Sequence, residues 1–288
     1  MKTDFESTLA EDWLVAASSD KLSAKRSLHT RVLGKEVILT RDASGRPCAN
    51  VRNGPRDQDI SPIFVCERYR MIWIAFQKPM KPLFDIAEFD QAGRRIIPCG
   101  SIGVNTSGLR VVENFLDMAH LPYVHSGWLG KEPHSEVKEY KVTLNPDVDE
   151  LWATNCRFWQ PKAAPSAADG FEVEYTYRVM QPFVTMLYKS SPARPGYFDF
   201  VLLCVQPQTE EQCLVHSLLG YFDDVSSDAE LISFMQLIFG QDKPILESQL
   251  PKRMPLDPRT EVPTRADAMS IAYRRWLHDK GVTYGVHR

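Results

Sequence analysis

No run of 18 or more apolar residues occurs in the 288-residue chain, so no stretch reads as a transmembrane helix. The N-terminus, Met-Lys-Thr-Asp-Phe-Glu-Ser, has neither the basic nor the apolar region of a signal peptide. Charge excess is also missing: 34 Lys and Arg face 37 Asp and Glu, a formal net charge of -3. The basic residues are spread along the chain and leave no nucleic-acid footprint. The six cysteines, Cys48, Cys66, Cys99, Cys156, Cys204 and Cys213, are scattered. A chain this long buries a core without disulfide staples, so reduced thiols and a cytoplasmic location are expected. Histidine is sparse: of seven, only His29 precedes His120. What remains is an ordinary globular composition, 43% hydrophobic and 25% charged, with no internal repeat and no low-complexity segment.

One stretch concentrates the chemistry: Asn114, Asp117 and His120 at three-residue spacing, then Pro122 and His125. Residues three and four apart are neighbours on a helix, so Asn114, Asp117 and His120 fall near one face. His120 and His125, five apart, point about 140° away from each other on a regular helix. They meet at one metal only if the helix breaks between them. Pro122 disfavours helical backbone at Leu121 and lacks an N–H donor. The expectation is a helix running into an irregular turn, with one histidine from each part. A single buried histidine is more often satisfied by a backbone carbonyl than by a metal. The pair becomes a site with a third ligand, and Asp242 is a candidate among 37 acidic residues. Spacing alone does not choose it. Two His and one carboxylate on one face suit non-haem Fe(II), and zinc competes well for the same nitrogens.

The N-x-x-D-x-x-H-x4-H run, followed far downstream by an acidic D-K-x-x-x-E segment, resembles the catalytic domain of Rieske non-haem iron oxygenase α subunits. That resemblance implies His120, His125 and Asp242 as iron ligands. It implies that Asp117 bridges a ligand histidine to a Rieske-cluster histidine across a subunit boundary, and that Asn114 is a polar residue beside the iron. The implied fold is α+β: an antiparallel sheet gripping a long C-terminal helix (helix-grip, SRPBCC or Bet v 1-like) over residues 98–288. A truncated β-rich, Rieske-like domain precedes it over residues 1–97.

The chain departs from the family in its N-terminal part. A Rieske [2Fe–2S] cluster takes two Cys and two His, normally as C-x-H and C-x-x-H. Neither Cys48 nor Cys66 has a correctly placed histidine. Cys213 and His216 have the second spacing but no first half, and lie in an alternating stretch that reads as a core strand. The resemblance therefore implies no intrinsic cluster, with electrons from NAD(P)H arriving through a Rieske-containing reductase.

Local patterns fill in the rest. Residues 31–41 read as a strand pair followed by a turn at 42–45, and 71–76 as a short apolar strand. Phe171, Val173, Tyr175, Tyr177 and Val179 alternate with polar residues, a period-two strand. Residues 198–205 and 212–219 predict neighbouring antiparallel strands joined by a polar turn at 208–211. Ser227 with Glu230 is a capping box, opening a helix whose stripe is Leu231, Phe234, Met235 and Ile238. Asp242 follows on its continuation, and Pro244 predicts a kink. A last helix, about 265–280, starts at Thr264 and stops at Gly281.

Residues 114–120, 170–175, 177–183, 239–247 and 272–277 are similar to the narrower group of bacterial methylxanthine N-demethylase subunits that lack a Rieske cluster. This implies an Fe(II)-dependent monooxygenase that removes the N7-methyl group of 7-methylxanthine as formaldehyde, using O2. It further implies a trimer-based oligomer and a glutathione-transferase-like structural subunit. Oxidation of another small planar or aromatic substrate, and a non-catalytic assembly role, are the alternatives. Retention of all of His120, His125, Asp117 and Asp242 weighs against the last.

Overall fold

A computed structural model describes residues 7–56, 59–162, 165 and 170–287. The chain opens on a short helix, α1 (Ser7–Ala10), and the fully buried strand β1 (Leu14–Ser18). Strands β2 (Leu28–Val32), β3 (Lys35–Arg41), β4 (Pro47–Arg52) and β5 (Ile60–Pro62) form a four-stranded antiparallel sheet. The β2–β3 turn needs two left-handed residues. Gly34 (φ 75°) adopts that conformation freely, and Leu33 (φ 48°) is held there by an N–H bond to the Pro207 carbonyl at 2.7 Å. The expected turn at 42–45 is stitched by Asp42, whose Oδ1 accepts from the Ser44 and Arg46 amides. Strands β6 (Phe64–Arg68) and β7 (Met71–Ala75) then join β1 in a three-stranded sheet, with β7 central and wholly buried.

The larger sheet has seven antiparallel strands: β8 (Arg95–Val104), β9 (Lys141–Asn145), β10 (Glu150–Gln160), β11 (Phe171–Gln181), β12 (Val184–Ser190), β13 (Phe198–Thr209) and β14 (Gln212–Tyr221). From β9 to β14 each strand pairs with the next, and β8 adds to β14 at the edge. The period-two reading of β11 holds: Val173, Tyr175, Tyr177 and Val179 are buried on one face while Glu172 and Glu174 are exposed. The β13–β14 hairpin is tighter than expected, turning at Glu210 and Glu211 alone, with an irregular register beside Pro207. Cys213 and His216 belong to β14, three residues apart and therefore on opposite faces. His216 is buried between Ser101 (Nδ1 to Oγ, 2.8 Å) and Gln206 (Nε2 to Oε1, 3.1 Å), a satisfied core histidine.

Between β8 and β9 lie α2 (Gly108–Leu116) and α3 (Leu121–Val124). After β14 comes α4 (Asp228–Ser248), 21 residues long, opened by the Ser227–Glu230 capping box and continuing through Pro244. The helix α5 (Ala268–Asp279) follows, entered by a 3-10 turn at Arg265–Asp267 that Thr264 caps, and closed at Gly281 (φ 73°). The first turn of the expected last helix is thus 3-10, because Asp267 reaches back to the Thr264 amide. No helix among the described residues is long and apolar enough to cross a membrane.

A candidate metal centre between two histidines and a helix

The helix carrying Asn114 ends at Leu116, earlier than spacing suggested. Asp117 is its C-cap in extended conformation (φ -84°, ψ 127°), so Asn114, Asp117 and His120 do not share one helix face. The physical cause is local. Asp117 Oδ1 accepts the Ala119 N–H at 2.7 Å, an Asx-type turn that competes with helical hydrogen bonding. The chain then makes the single turn α3, with His120 as N-cap and His125 as C-cap. Pro122 starts this turn rather than ending one, near a helix N-terminus where its missing N–H costs nothing. Gly130 packs on it: a Cβ there would lie 2.6 Å from the Pro122 nitrogen, so the loop after His125 closes only over a glycine.

The two imidazoles turn inward because their outer nitrogens are occupied. His120 Nδ1 lies 3.2 Å from Asp117 Oδ2, and His125 Nδ1 lies 2.8 Å from the amide oxygen of Gln241. Both partners are acceptors, so each Nδ1 carries the proton and each Nε2 presents a lone pair. The Nε2 atoms are 3.2 Å apart. Asp242, next to Gln241 on α4, completes the group: its Oδ1 is 3.4 Å from His120 Nε2 and 3.1 Å from His125 Nε2.

Three inward-facing acceptors in a buried triangle repel one another unless a cation sits among them. Asp242 Oδ1 is buried and has no hydrogen-bond partner of good geometry. Three ligands on one face of an ion, each about 2.1 Å from it, stand about 3.0–3.4 Å apart, the spacing seen here. With a proton as the only cation, burial disfavours charge on His120, yet the Asp117 and Asp242 carboxylates hold its pKa up at about 9. Burial likewise works against ionised Asp242, but the two imidazoles beside it bring its pKa down to about 2. Among the described residues this is the one cluster of three or more His, Cys, Asp or Glu side chains placed to hold a metal ion. The three candidate ligands named from the sequence therefore converge. Gln241 was not foreseen, since an amide beside a carboxylate on a helix carries no signature of its own.

A cavity opens beside this group. Its walls are α4, through the stripe Leu231, Phe234, Met235 and Ile238, and the facing strands β11 to β14. The stripe that reads as ordinary core thus lines a hollow. Asn114 and Asp117 also line a second, polar basin with Arg110, Glu113, Glu261 and Arg274. They form the wall between the two.

Residues 104–281 match the family of the vanillate O-demethylase oxygenase C-terminal domain. The chain belongs to the Rieske non-haem iron oxygenases. Among curated relatives it is 42% identical over 282 residues to NdmC of Pseudomonas sp. (strain TJI-51), described as a probable methylxanthine N7-demethylase, with 98% of each chain covered. It is 30% identical to the methylxanthine N1-demethylase NdmA of Pseudomonas putida, over 75% of this chain and 60% of NdmA. The solved structure of NdmA from Pseudomonas putida CBB5 with caffeine superposes with a TM-score of 0.76, at 20% identity, covering 96% of this chain and 92% of that one. Like other Rieske non-haem iron oxygenases, the chain combines mostly antiparallel sheets with few helices. Its membership makes it an oxidative, iron-dependent enzyme with O2 as oxidant.

Proposed function

We propose that the chain is the oxygenase component of a methylxanthine N-demethylase, removing the N7-methyl group of 7-methylxanthine at a mononuclear Fe(II). The observation that carries the reading is the convergence of His120 Nε2, His125 Nε2 and Asp242 Oδ1 from separate segments into one triangle, 3.1–3.4 Å on a side. The 42% identity to NdmC supports the substrate. His120, His125 and Asp242 would hold the iron, which would supply activation of O2: one oxygen atom enters a C–H bond of the N-methyl group and the other leaves as water, with two electrons and two protons consumed. The N-hydroxymethyl product releases formaldehyde without a further catalytic side chain. Asp117 and Gln241 fix both imidazoles in the tautomer that leaves Nε2 free for the metal. The apolar walls of the cavity exclude water from the reacting carbon.

We further propose that the chain has no [2Fe–2S] cluster. Such a cluster takes two histidines, and His29 alone precedes His120. Electrons from NAD(P)H then come from a Rieske-containing reductase. Asp117 lies open to the polar basin on the side away from the cavity and is the group that would face the donor's histidine. A glutathione-transferase-like structural subunit and a trimer-based assembly complete the proposal. Residues 1–97 are a truncated Rieske-like domain and 98–288 a helix-grip catalytic domain, with β8 straddling the join and α4 as the gripped helix.

The chain loaded anaerobically with Fe(II) tests the reading. It should release formaldehyde from 7-methylxanthine with NADH and a Rieske-containing reductase, and release none with a reductase that lacks a Rieske domain. Equal turnover with both reductases would overturn the external-cluster part. Absence of any methylxanthine oxidation by the fully loaded assembly would overturn the substrate.

A further inference from the structure

Away from the end formed by Asn114, Asp117, His120, His125 and Asp242, charge enters the wall of the cavity beside the metal centre at one place. Lys189, on β12, is the only lysine or arginine among the described residues that line it. It is 5% exposed. A buried ammonium is expensive, and a strand interior chosen for stability alone would carry Leu or Met at this point. Its surroundings hold it in place. Register puts Tyr175 of β11 on one side and Asp199 of β13 on the other. Its Nζ stands 4.9 Å from the centroid of the Tyr221 ring, which belongs to β14 and also lines the cavity. Asp199 is buried, with one carboxylate oxygen accepting the Phe222 N–H at 2.8 Å and the other without a hydrogen bond. The Tyr175 hydroxyl accepts from Gln160, whose own amide oxygen is buried without a partner. A rung of polar groups therefore crosses an otherwise apolar wall, with one cation at its centre. Burial lowers the Lys189 pKa to about 8 although Asp199 and Asp223 favour the charge.

We propose that Lys189 is the substrate-recognition group of this cavity: its ammonium donates to a carbonyl oxygen, carboxylate or deprotonated ring nitrogen on a planar substrate. The proposal rests on the oxygenase reading of the metal centre and specifies the substrate class it acts on. The apolar walls accept any flat ring of suitable size, and dispersion alone discriminates weakly among such rings. A cation at a fixed point selects rings with negative charge, partial or full, at the edge that meets it. It also fixes which edge is left to face the metal ligands. A site built to donate to an oxygen rejects analogues that lack the oxygen far more strongly than it rejects analogues differing by a methyl group.

The test is calorimetric binding of two probes, 7-methylxanthine and vanillate, to the full chain and to variants, followed by KM and kcat with the reconstituted assembly. Lys189→Met would strand Asp199, so it is made together with Asp199→Asn; Lys189→Gln alone keeps an N–H donor without the charge. Loss of a hydrogen bond to a charged group predicts binding about 10- to 100-fold weaker in the double variant, with a smaller loss for Lys189→Gln. KM should rise far more than kcat falls. Unchanged affinity of both variants for a probe that the native chain binds would overturn the role of Lys189 and leave the demethylase reading standing. Native binding of vanillate but not of 7-methylxanthine, lost in the variants, would uphold Lys189 and overturn the methylxanthine assignment. Native binding of neither probe would overturn both.

Discussion

Gln241 holds His125: the side-chain oxygen of the one accepts the Nδ1 proton of the other at 2.8 Å, while the neighbouring Asp242 aims Oδ1 at the opposite nitrogen of the same ring, 3.1 Å away. Two consecutive residues of α4 thus address the two nitrogens of one histidine. Replacing Gln241 by Leu should leave the fold intact and weaken metal affinity about 10- to 100-fold, the usual loss for an outer hydrogen-bond partner of a metal ligand. Competition with a chelator, read against the native chain, measures it. Affinity within about twofold of native, on the scale of that expected loss, would show that the Gln241 contact is incidental.

Asp117 has two jobs in the proposed mechanism, and they separate experimentally. Asp117→Asn keeps one side-chain oxygen, which can stay on His120 Nδ1 while the contact to the Ala119 amide is given up, so iron binding should fall little. Turnover driven by the Rieske donor should fall at least about 100-fold, by analogy with other residues that act on electron or proton delivery through a ligand. Product formation driven by hydrogen peroxide, which bypasses the donor, should fall much less. Equal loss by both routes would reduce Asp117 to a support for His120.

Below the metal centre, Glu113 and Glu261 are clasped by two buried arginines. Arg274 bonds Glu113 at 2.5 and 2.9 Å, and Arg110 reaches Glu261 at 2.7 Å and the Pro251 carbonyl at 3.1 Å. Removing Glu113 leaves two buried arginines facing the single carboxylate of Glu261, so Glu113→Leu should destabilise by about 3 kcal/mol. For a chain of this size that is a fall of roughly 5 °C in melting temperature. Differential scanning calorimetry reads it directly, and a shift under about 2 °C would place the network among the energetically idle surface pairs.

His216 predicts a pH dependence of stability. Burial lowers its pKa from 6.5 to about 4 in the folded protein. The unfolded chain therefore binds more protons between those values, and stability falls as pH falls through that window, being complete above pH 6.5. The drop amounts to about 3 kcal/mol at most. Urea midpoints at pH 7 and pH 4.5 should differ less in His216→Gln than in the native chain. Identical pH slopes in the two would remove His216 as the source.

The legible parts of this protein were those where one local rule acts unopposed. The β11 alternation follows from one face meeting the core, and the Ser227–Glu230 box follows from backbone amides with nothing else to bond. The meeting of His120, His125 and Asp242 was legible through the family motif, since spacing alone left Asp242 one acidic residue among 37. What escaped was decided by partners distant in sequence or by competition between bonds. The early end of α2 turns on whether Asp117 Oδ1 bonds the Ala119 amide, which spacing does not reveal. The α4 stripe looks the same in sequence whether it meets side chains or a hollow. Lys189 breaks the apolar run of β12 as any surface lysine would, and only the folded sheet shows that it points inward.

The triangle of acceptors joins parts of the chain that are 117 and 122 residues apart (242 minus 125 and 242 minus 120). An ion held there is a buckle: it ties the single turn α3 to the middle of α4, the helix that roofs the cavity. Binding energy spent on the ion is then also spent on keeping that roof down. The metal-free chain should breathe along α4, with amide exchange fastest near Gln241 and Asp242. Substrate and metal should each tighten the hold of the other without touching.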